Sequence, residues 1–469
     1  MSPSMDHPGV SSRRTFLRVG GLGLGLGNMA LRSLLAEDAA GGGIRVGPHH
    51  APRAKRVIQL YMSGGPSHLE TFDYKPGLDK LDGQPMPASF TNGKPIAQLQ
   101  GQALKVQGHL TRFKRYGQSG QWISDFLPYH ARMADKITIL RGMVTDQINH
   151  DPAHTVMNTG TAISGRPSMG SWITYGLGSE ATDLPGFVVM ASFAGRNPQP
   201  ISQRMWGSGF LPTRHQGVEF RAQGDPVHYL TNPPGVSTSQ QRELVDAIGA
   251  IDLARGGPDI SSRVAAYEMA FRMQASVPEL MDLSGETRET LDLYGARPGD
   301  GSFASNCVTA RRLAERGVRF IQLYHRDWDH HGDLVKFMNI CCAATDRAAW
   351  ALVTDLERRG MLDETLVIWG GEFGRTPMFQ GKGGPGRDHH IQGFSVWMAG
   401  GGVKPGMSFG GTDELGYKSV EGVTRVRDLH ATVLHQVGLN HERLTHKYQG
   451  LDARLTGVEP ARVIREILA

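Results

Sequence analysis

Residues 325–331 hold the densest group of potential metal ligands in the chain. Three histidines and two aspartates lie within these seven residues: His325, Asp327, Asp329, His330 and His331. They come directly after an apolar run that predicts a strand over 319–324. Imidazole nitrogens combined with carboxylate oxygens suit zinc, manganese or iron better than calcium. We therefore predict a metal site at the end of this strand, the alternative being a solvated polar loop.

A second pair of histidines, His389 and His390, precedes another predicted strand, over 394–398. One histidine of this pair could complete the metal site begun by Asp327 and His331. The alternative is a turn in which the histidines cap neighbouring backbone groups.

A third pair, His150 and His154, is associated with a predicted helix start. Asp151 followed by Pro152 is typical of a first helical turn, so His150 is expected at or just before a helix N-terminus. Such a position favours anions, because free N–H groups and the helix dipole point towards them. His154 lies one turn further on the same helix face. The alternative is that His154 is a packed, hydrogen-bonded side chain.

Two more charged side chains follow the apolar run 365–369. Glu372 offers a carboxylate, and Arg375 offers a guanidinium that could clamp the oxygens of sulfate, phosphate or a carboxylate. A structural pair between Glu372 and Arg375 is the other interpretation. His68, beyond a first predicted strand over 56–62, is a weaker candidate ligand.

The elements that would position these residues alternate along the chain. From residue 301 onwards strands and helices follow one another at short spacing, which predicts a three-layer α/β/α sandwich with a mostly parallel central sheet. Open sheets of this type bind ligands at the carboxyl ends of their strands. Further strands are expected over 136–140 and 186–190, and a helical excursion over 239–295.

The N-terminus has the pattern of an export signal. Ser12-Arg13-Arg14-Thr15-Phe16-Leu17 matches the twin-arginine signature, and a weakly apolar, glycine-rich stretch follows it. We predict a signal peptide over 1–40, a flexible leader over 41–55, and export to the periplasm or beyond. An amphipathic or disordered N-terminus is the alternative.

Composition restricts the remaining possibilities. The net charge of +5 over 469 residues is too weak to favour nucleic acid as a partner. No run of about 18 apolar residues occurs, so no transmembrane segment is expected in the mature chain. Three cysteines argue against a disulfide framework. We predict one domain over 56–469, with insertions at about 73–122 and 200–295, and the sequence leaves its oligomeric state open.

Three short motifs resemble those of a known family: Gly64-Gly65-Pro66-Ser67-His68, Phe373-Gly374-Arg375-Thr376-Pro377 and Gly386-Arg387-Asp388-His389. With the twin-arginine N-terminus, they make the chain resemble a bacterial family of exported proteins labelled as domain of unknown function number 1501. More distantly, the chain resembles the alkaline phosphatase and sulfatase superfamily. That resemblance implies an alkaline-phosphatase-like fold and a divalent metal, zinc first, with manganese, iron or calcium as alternatives.

The superfamily resemblance also implies roles for single residues. Asp327 and His331 reproduce the Asp-x-x-x-His spacing of alkaline phosphatases, and His389 or His390 matches their later histidine. Glu372 stands where sulfatases have a metal-ligand aspartate. One metal position therefore resembles the family pattern, and Glu372, His68 and His150 could rebuild a second.

The nucleophile is where the chain departs from the sulfatases. Their cysteine or serine lies nine residues before the threonine of a Thr-Gly pair, and nine residues before Thr159 stands His150. His154 replaces the sulfatase arginine. Three interpretations follow: hydrolysis by metal-bound water, with Arg375 and the helix start near His150 holding anionic oxygens; phosphotransfer through His150; or a non-catalytic metal- or anion-binding protein. The expected substrate is a small anionic ester or a sulfated or phosphorylated glycan.

Overall fold

The computed structural model describes residues 47–94, 96–193, 197–221, 224–227, 230–232, 235–255, 258–381 and 383–469. The predicted signal peptide and the first residues of the predicted leader lie outside these ranges. The described end of the leader contacts the domain, because His49 N–H donates to Gly438 O at 2.8 Å and Ala54 N–H donates to Gln436 O at 2.8 Å.

Nine strands among the described residues form the central sheet. They are β1 (Arg56–Met62), β2 (Thr138–Val144), β3 (Phe187–Phe193), β4 (Val218–Phe220), β5 (Phe320–Arg326), β6 (Thr365–Gly370), β7 (Phe394–Ala399), β8 (Met407–Phe409) and β9 (Thr424–Arg425). Their order is β8-β2-β7-β6-β1-β5-β3-β4, and β9 pairs with β2. Every pair is parallel except those that β7 makes with β2 and β6. The prediction of a mostly parallel sheet is confirmed.

The described residues also contain eleven α-helices. They are α1 (Pro76–Lys80), α2 (Ala88–Thr91), α3 (Pro128–Arg132), α4 (His150–Thr159), α5 (Met169–Leu177), α6 (Thr238–Arg255), α7 (Pro258–Met281), α8 (Arg288–Tyr294), α9 (Phe303–Glu315), α10 (Leu334–Arg358) and α11 (Val426–Gln436). The same residues form five two-stranded ribbons: Phe113–Tyr116 with Gln121–Ser124, Gly374–Arg375 with His389–His390, Gln380–Gly381 with Pro385–Gly386, Gly411–Thr412 with Ser419–Glu421, and His446–Tyr448 with Leu451–Ala453. Within this described part, no helix has both the length and the apolar character needed to cross a bilayer.

Strand β1 shows how the sequence produces the layers. It is apolar at almost every position, as expected of a parallel strand buried on both faces. Successive side chains point to opposite faces, so Ile58 and Leu60 join one apolar core while Val57 and Tyr61 join the other. Helices α9 and α10 cover the first face, and α4, α5 and α11 cover the second. The result is the predicted α/β/α arrangement.

The site is positioned by three neighbouring strands in the middle of this sheet. Strand β1 lies between β5 and β6, with Met62 opposite His325 and Tyr61 opposite Gly370. Because all three strands are parallel, their carboxyl ends meet at one edge of the sheet. The segments 63–68, 327–331 and 371–375 are therefore adjacent in space.

The predicted insertion at about 73–122 packs beside this edge. It contains α1, α2 and the strand Phe113–Tyr116. A small apolar core joins it to the chain around the site and contains Leu78 and Leu99 together with Met378 and Tyr417. One wall next to the carboxyl ends of the strands is thus built from this segment.

Candidate metal centre

The loop after β1 must approach the loop after β5 very closely. Gly64 has a φ of +122°, and a Cβ at this position would lie 2.5 Å from the backbone nitrogen of Asp329. Only glycine adopts this conformation without strain and leaves room for the neighbouring backbone. Close packing against the segment that carries Asp329 thus explains why the first residue of the Gly64-Gly65-Pro66 motif is a glycine.

Four side chains converge at this edge: His150, Asp329, His331 and His389. One potential ligand atom from each lies within 4.8 Å of all the others. The Nε2 atoms of His150, His331 and His389 are 3.1, 2.9 and 3.2 Å from Asp329 Oδ1. Four ligands in a tetrahedron about zinc, each 2.0–2.1 Å from the ion, would be about 3.3 Å apart. The spacing of these four atoms therefore fits a metal ion.

The outer nitrogen of each of the three imidazoles is held by an oxygen atom, which can only accept its hydrogen bond. The acceptors of the Nδ1 atoms are Glu372 Oε1 for His150 at 2.7 Å, Gln380 Oε1 for His331 at 2.5 Å, and Ile148 O for His389 at 2.9 Å. Each Nδ1 must then carry the proton, so that in the neutral imidazole the Nε2 lone pair is directed into the cluster. His150 Nε2 is buried and faces Asp329 Oδ1 at 3.1 Å, without a hydrogen bond of regular geometry to any described residue. Histidines that bind metals are oriented in this way.

Arg375 and Asp329 form a buried ion pair behind the cluster. Arg375 Nη2 donates to Asp329 Oδ1 at 2.8 Å, and other guanidinium N–H groups donate to backbone carbonyls, including Gly65 O at 2.9 Å and Gly64 O. Burial alone would raise the pKa of Asp329, but the positive charge of the adjacent Arg375 holds this pKa well below its usual value. Asp329 is therefore a carboxylate.

Arg375 occupies a different setting from the clamp that the sequence predicts. Its side chain is only 1% exposed, and the contacts just described engage it with the backbone and with Asp329. In this position Arg375 holds the carboxylate of Asp329, a candidate metal ligand, in place. A direct contact with the oxygens of a substrate stays a prediction.

A second group of potential ligands shares His150 with the first. It comprises His150, His154 and Glu372. Glu372 is fully buried and accepts hydrogen bonds from Gly64 N–H at 3.0 Å and from His150 Nδ1. Burial and the charge of Glu372 raise the pKa of Tyr61 well above its usual value, so Tyr61 stays protonated, and its hydroxyl forms a hydrogen bond with His154 Nδ1 at 2.9 Å. Burial lowers the pKa of His154 to about 4, so this imidazole is neutral at pH 7.

Asp327, which the spacing favours as a ligand, lies outside both groups, and Asp329 stands in the cluster. The chain turns at Asp327, whose φ is +100°, and its Oδ1 accepts a hydrogen bond from Asn197 N–H at 2.9 Å. Two residues later, Asp329 faces the histidines. The sequence offers both aspartates in the same motif, but nothing in their spacing tells which one points inward.

His390 and His68 also lie apart from the two groups. His389 and His390 are neighbours in a short strand, so their side chains point to opposite sides and only His389 faces the cluster. His390 Nε2 donates to Tyr417 O, and burial lowers the pKa of His390 to about 3. His68 Nε2 donates to Gly416 O at 2.9 Å. Gln380, which fixes His331, has no motif in the sequence that marks it.

Glu372 gives a first prediction. Glu372→Gln keeps the shape of the side chain but removes the charge that holds His150 Nδ1. We expect metal affinity to fall about 10- to 100-fold, as is usual when a group that orients a ligand is lost. Competition with a chromogenic chelator measures this change. Glu364→Gln, at a half-exposed carboxylate paired with Lys55, is the control, and equal affinity in the two variants would contradict the orienting role.

Fold and site together define an α/β protein with a candidate metal centre at the carboxyl edge of its sheet. The chain belongs to the family described as "Protein of unknown function (DUF1501)", whose model matches residues 54–468. None of the curated proteins matches it.

Solved structures similar to the chain include three enzymes with low sequence identity. The alkaline phosphatase from the Antarctic bacterium TAB5 is 9% identical, with 83% of this chain and 99% of that chain covered and a TM-score of 0.34. The lipoteichoic acid synthase LtaP from Listeria monocytogenes is 9% identical, with 87% and 76% covered and a TM-score of 0.34. The phosphonate monoester hydrolase SpPMH from Silicibacter pomeroyi is 11% identical, with 73% and 71% covered and a TM-score of 0.34. Structural similarities with TM-scores this low say nothing about the chemistry of this chain.

Proposed function

We propose that this protein is a metal-dependent hydrolase of sulfate or phosphate esters. One observation carries the proposal: three imidazole Nε2 atoms, each oriented by an acceptor on its Nδ1, converge on the carboxylate of Asp329. Three nitrogens and one oxygen favour zinc, with manganese or iron next, whereas calcium prefers oxygen ligands alone. A divalent ion held here would act as a Lewis acid and activate water for hydrolysis.

A bound divalent cation would favour an anionic ester. Its charge would attract the oxygens of sulfate, phosphate or a glycan that carries them. The side chains of His150, Asp329 and His331 are 13, 12 and 14% exposed, which gives a ligand access from solvent.

The protein side chains would hold and orient this site. Glu372 keeps the proton on His150 Nδ1, and Arg375 fixes the carboxylate of Asp329. Phosphotransfer through His150 would compete with metal binding. Glu372 holds Nδ1, so the Nε2 lone pair is the one that could attack a phosphoryl group, and a metal ion in the cluster would occupy it.

A non-catalytic metal-binding protein is the second candidate. Four protein ligands already complete a tetrahedral zinc set, whereas catalytic zinc sites commonly have three protein ligands and one open position. Turnover, rather than metal content, separates the two candidates.

Elemental analysis of the purified protein, paired with assays on sulfate, phosphate and phosphonate esters, tests the proposal. We expect about one transition metal per chain, hydrolysis of at least one ester class, and loss of that activity after chelation with recovery on adding metal back. Metal without turnover on the whole panel would select the binding protein. The absence of a stoichiometric metal would overturn both.

We also propose export through the twin-arginine route, on the basis of Arg13 and Arg14, which lie outside the described residues. Changing both to lysine removes the recognised pair, and we expect the full chain to accumulate in the cytoplasm. Fractionation followed by immunoblotting measures this, with Arg18→Lys as the control. An unchanged periplasmic yield of the double variant would contradict the proposal.

A further inference from the structure

A cavity of about 310 Å³ lies at the far end of helix α4 from the metal cluster. His150 is the first residue of this helix, and Thr159, at its last position, lines the cavity. At 1.5 Å per residue, these two residues are separated by about 14 Å along the helix axis. A small molecule in this cavity could not also contact the metal ligands, so any site here is a separate one.

Arg166, in the cavity wall, packs its guanidinium against two aromatic rings. Its guanidinium lies over the rings of Phe210 and Tyr448, at 5.5 and 5.7 Å from their centroids. The two rings stack on each other, with centroids 4.4 Å apart and planes inclined by 18°. Contacts of this kind hold the guanidinium plane in place.

The charge of Arg166 is not balanced by a neighbouring acid. Among residues that the structure describes, no ion pair involves Arg166 or Arg454, which lines the same cavity. The carboxylate in the wall, Asp452, is exposed and pairs with neither arginine in this part of the chain. A half-buried, oriented guanidinium without a carboxylate partner is suited to an oxyanion from a ligand.

The mouth of the cavity is apolar. Ile163, Leu451 and Val458 are 62, 68 and 89% exposed, and all three line this cavity. Single exposed apolar side chains are ordinary, but a group of them around one opening indicates a surface that contacts apolar material.

We propose that this cavity binds a small anion carried on an apolar or aromatic body. The oxyanion pairs with Arg166, and the body lies against the aromatic and apolar side chains of the wall and mouth. The volume is at the lower end of the range for small-molecule sites, which fits one or two rings and an acidic group. The site is independent of the metal cluster.

Calorimetric titration of the full chain with 2-naphthalenesulfonate tests this proposal, in the presence of a chelator so that the metal cluster is not involved. We expect one molecule bound per chain. The neutral 2-naphthalenemethanol should bind at least about 10-fold more weakly, because it lacks the charge-assisted hydrogen bonds. Inorganic sulfate should also bind more weakly than the sulfonate, since it has no apolar body.

Arg166→Gln should lower the affinity for 2-naphthalenesulfonate about 10- to 100-fold and change that for 2-naphthalenemethanol little. Arg288→Gln, at an arginine that is 94% exposed on α8, is the matched control and should change neither. Leu451→Ser, at an exposed position where folding tolerates the change, should weaken both ligands similarly.

Four results would overturn the proposal. They are unchanged binding of the sulfonate to Arg166→Gln, equal affinity for the neutral analogue, no binding of any probe, and no effect of Leu451→Ser. Should Arg166→Gln fail to fold, as judged by circular dichroism, the neutral analogue and Leu451→Ser still decide the question.

Discussion

Asp329→Asn is expected to lower the affinity for a transition metal by more than about 100-fold, a larger loss than that of an orienting group. The change removes the carboxylate oxygen on which three imidazole Nε2 atoms converge. Asparagine keeps the volume of the side chain, and its amide can still contact Arg375. Because the buried charge of Arg375 loses its partner, circular dichroism of the variant is needed to separate a lost ligand from a collapsed site. Metal content after dialysis, with competition against a chelator, provides the measurement.

The matched variant is Asp327→Asn, two residues earlier in the same loop. Its side chain accepts from Asn197 N–H, a contact that an asparagine oxygen can also make. We expect its metal affinity to equal that of the unchanged protein. The opposite result, with Asp327→Asn losing metal and Asp329→Asn retaining it, would favour the Asp-x-x-x-His spacing over the geometry of the structure.

The second large effect concerns stability. Arg387→Met should reduce the free energy of unfolding by about 3–5 kcal/mol, because it leaves the carboxylate of Glu70 buried without its partner. Both side chains are fully buried, with Arg387 Nη2 2.7 Å from Glu70 Oε1. Arg387 also donates to the carbonyls of Gln107 and Gly108, at 3.2 and 2.7 Å, and so ties the 73–122 segment to the site. Urea unfolding followed by circular dichroism measures the loss.

Two further variants make this prediction specific. Arg316→Met breaks a more exposed pair with Glu279, and it should cost much less because water replaces the partner. Adding Glu70→Gln to Arg387→Met should restore part of the stability, since a neutral amide is less costly to bury than a carboxylate. If Arg387→Met were as stable as Arg316→Met, Glu70 and Arg387 would not form the buried pair described.

The sequence predicted the bounds of those strands whose position depends on hydrophobic burial alone. Strand β1 was expected over 56–62 and has those bounds, and β6 was expected to begin at Thr365 and does. Both are largely apolar, as expected of strands that are buried on both faces of a sheet. Strand β2 was expected over 136–140 but runs from Thr138 to Val144, because its second half pairs with β7 and β9, contacts that no local pattern contains.

The sequence by itself determined that the polar motifs lie at strand ends and that the strands form a mostly parallel sheet. From those two facts alone, the motifs after β1, β5 and β6 were expected at one edge. Only the tertiary structure decided which side chains of each motif face one another. A positive φ at Asp327 turns its side chain away and brings Asp329 inward, while the alternation of a strand selects His389 over His390. Arg375 was likewise placed by backbone carbonyls from three separate segments, those of Gly65, Trp328 and Arg387. Such contacts exist only once the chain has folded.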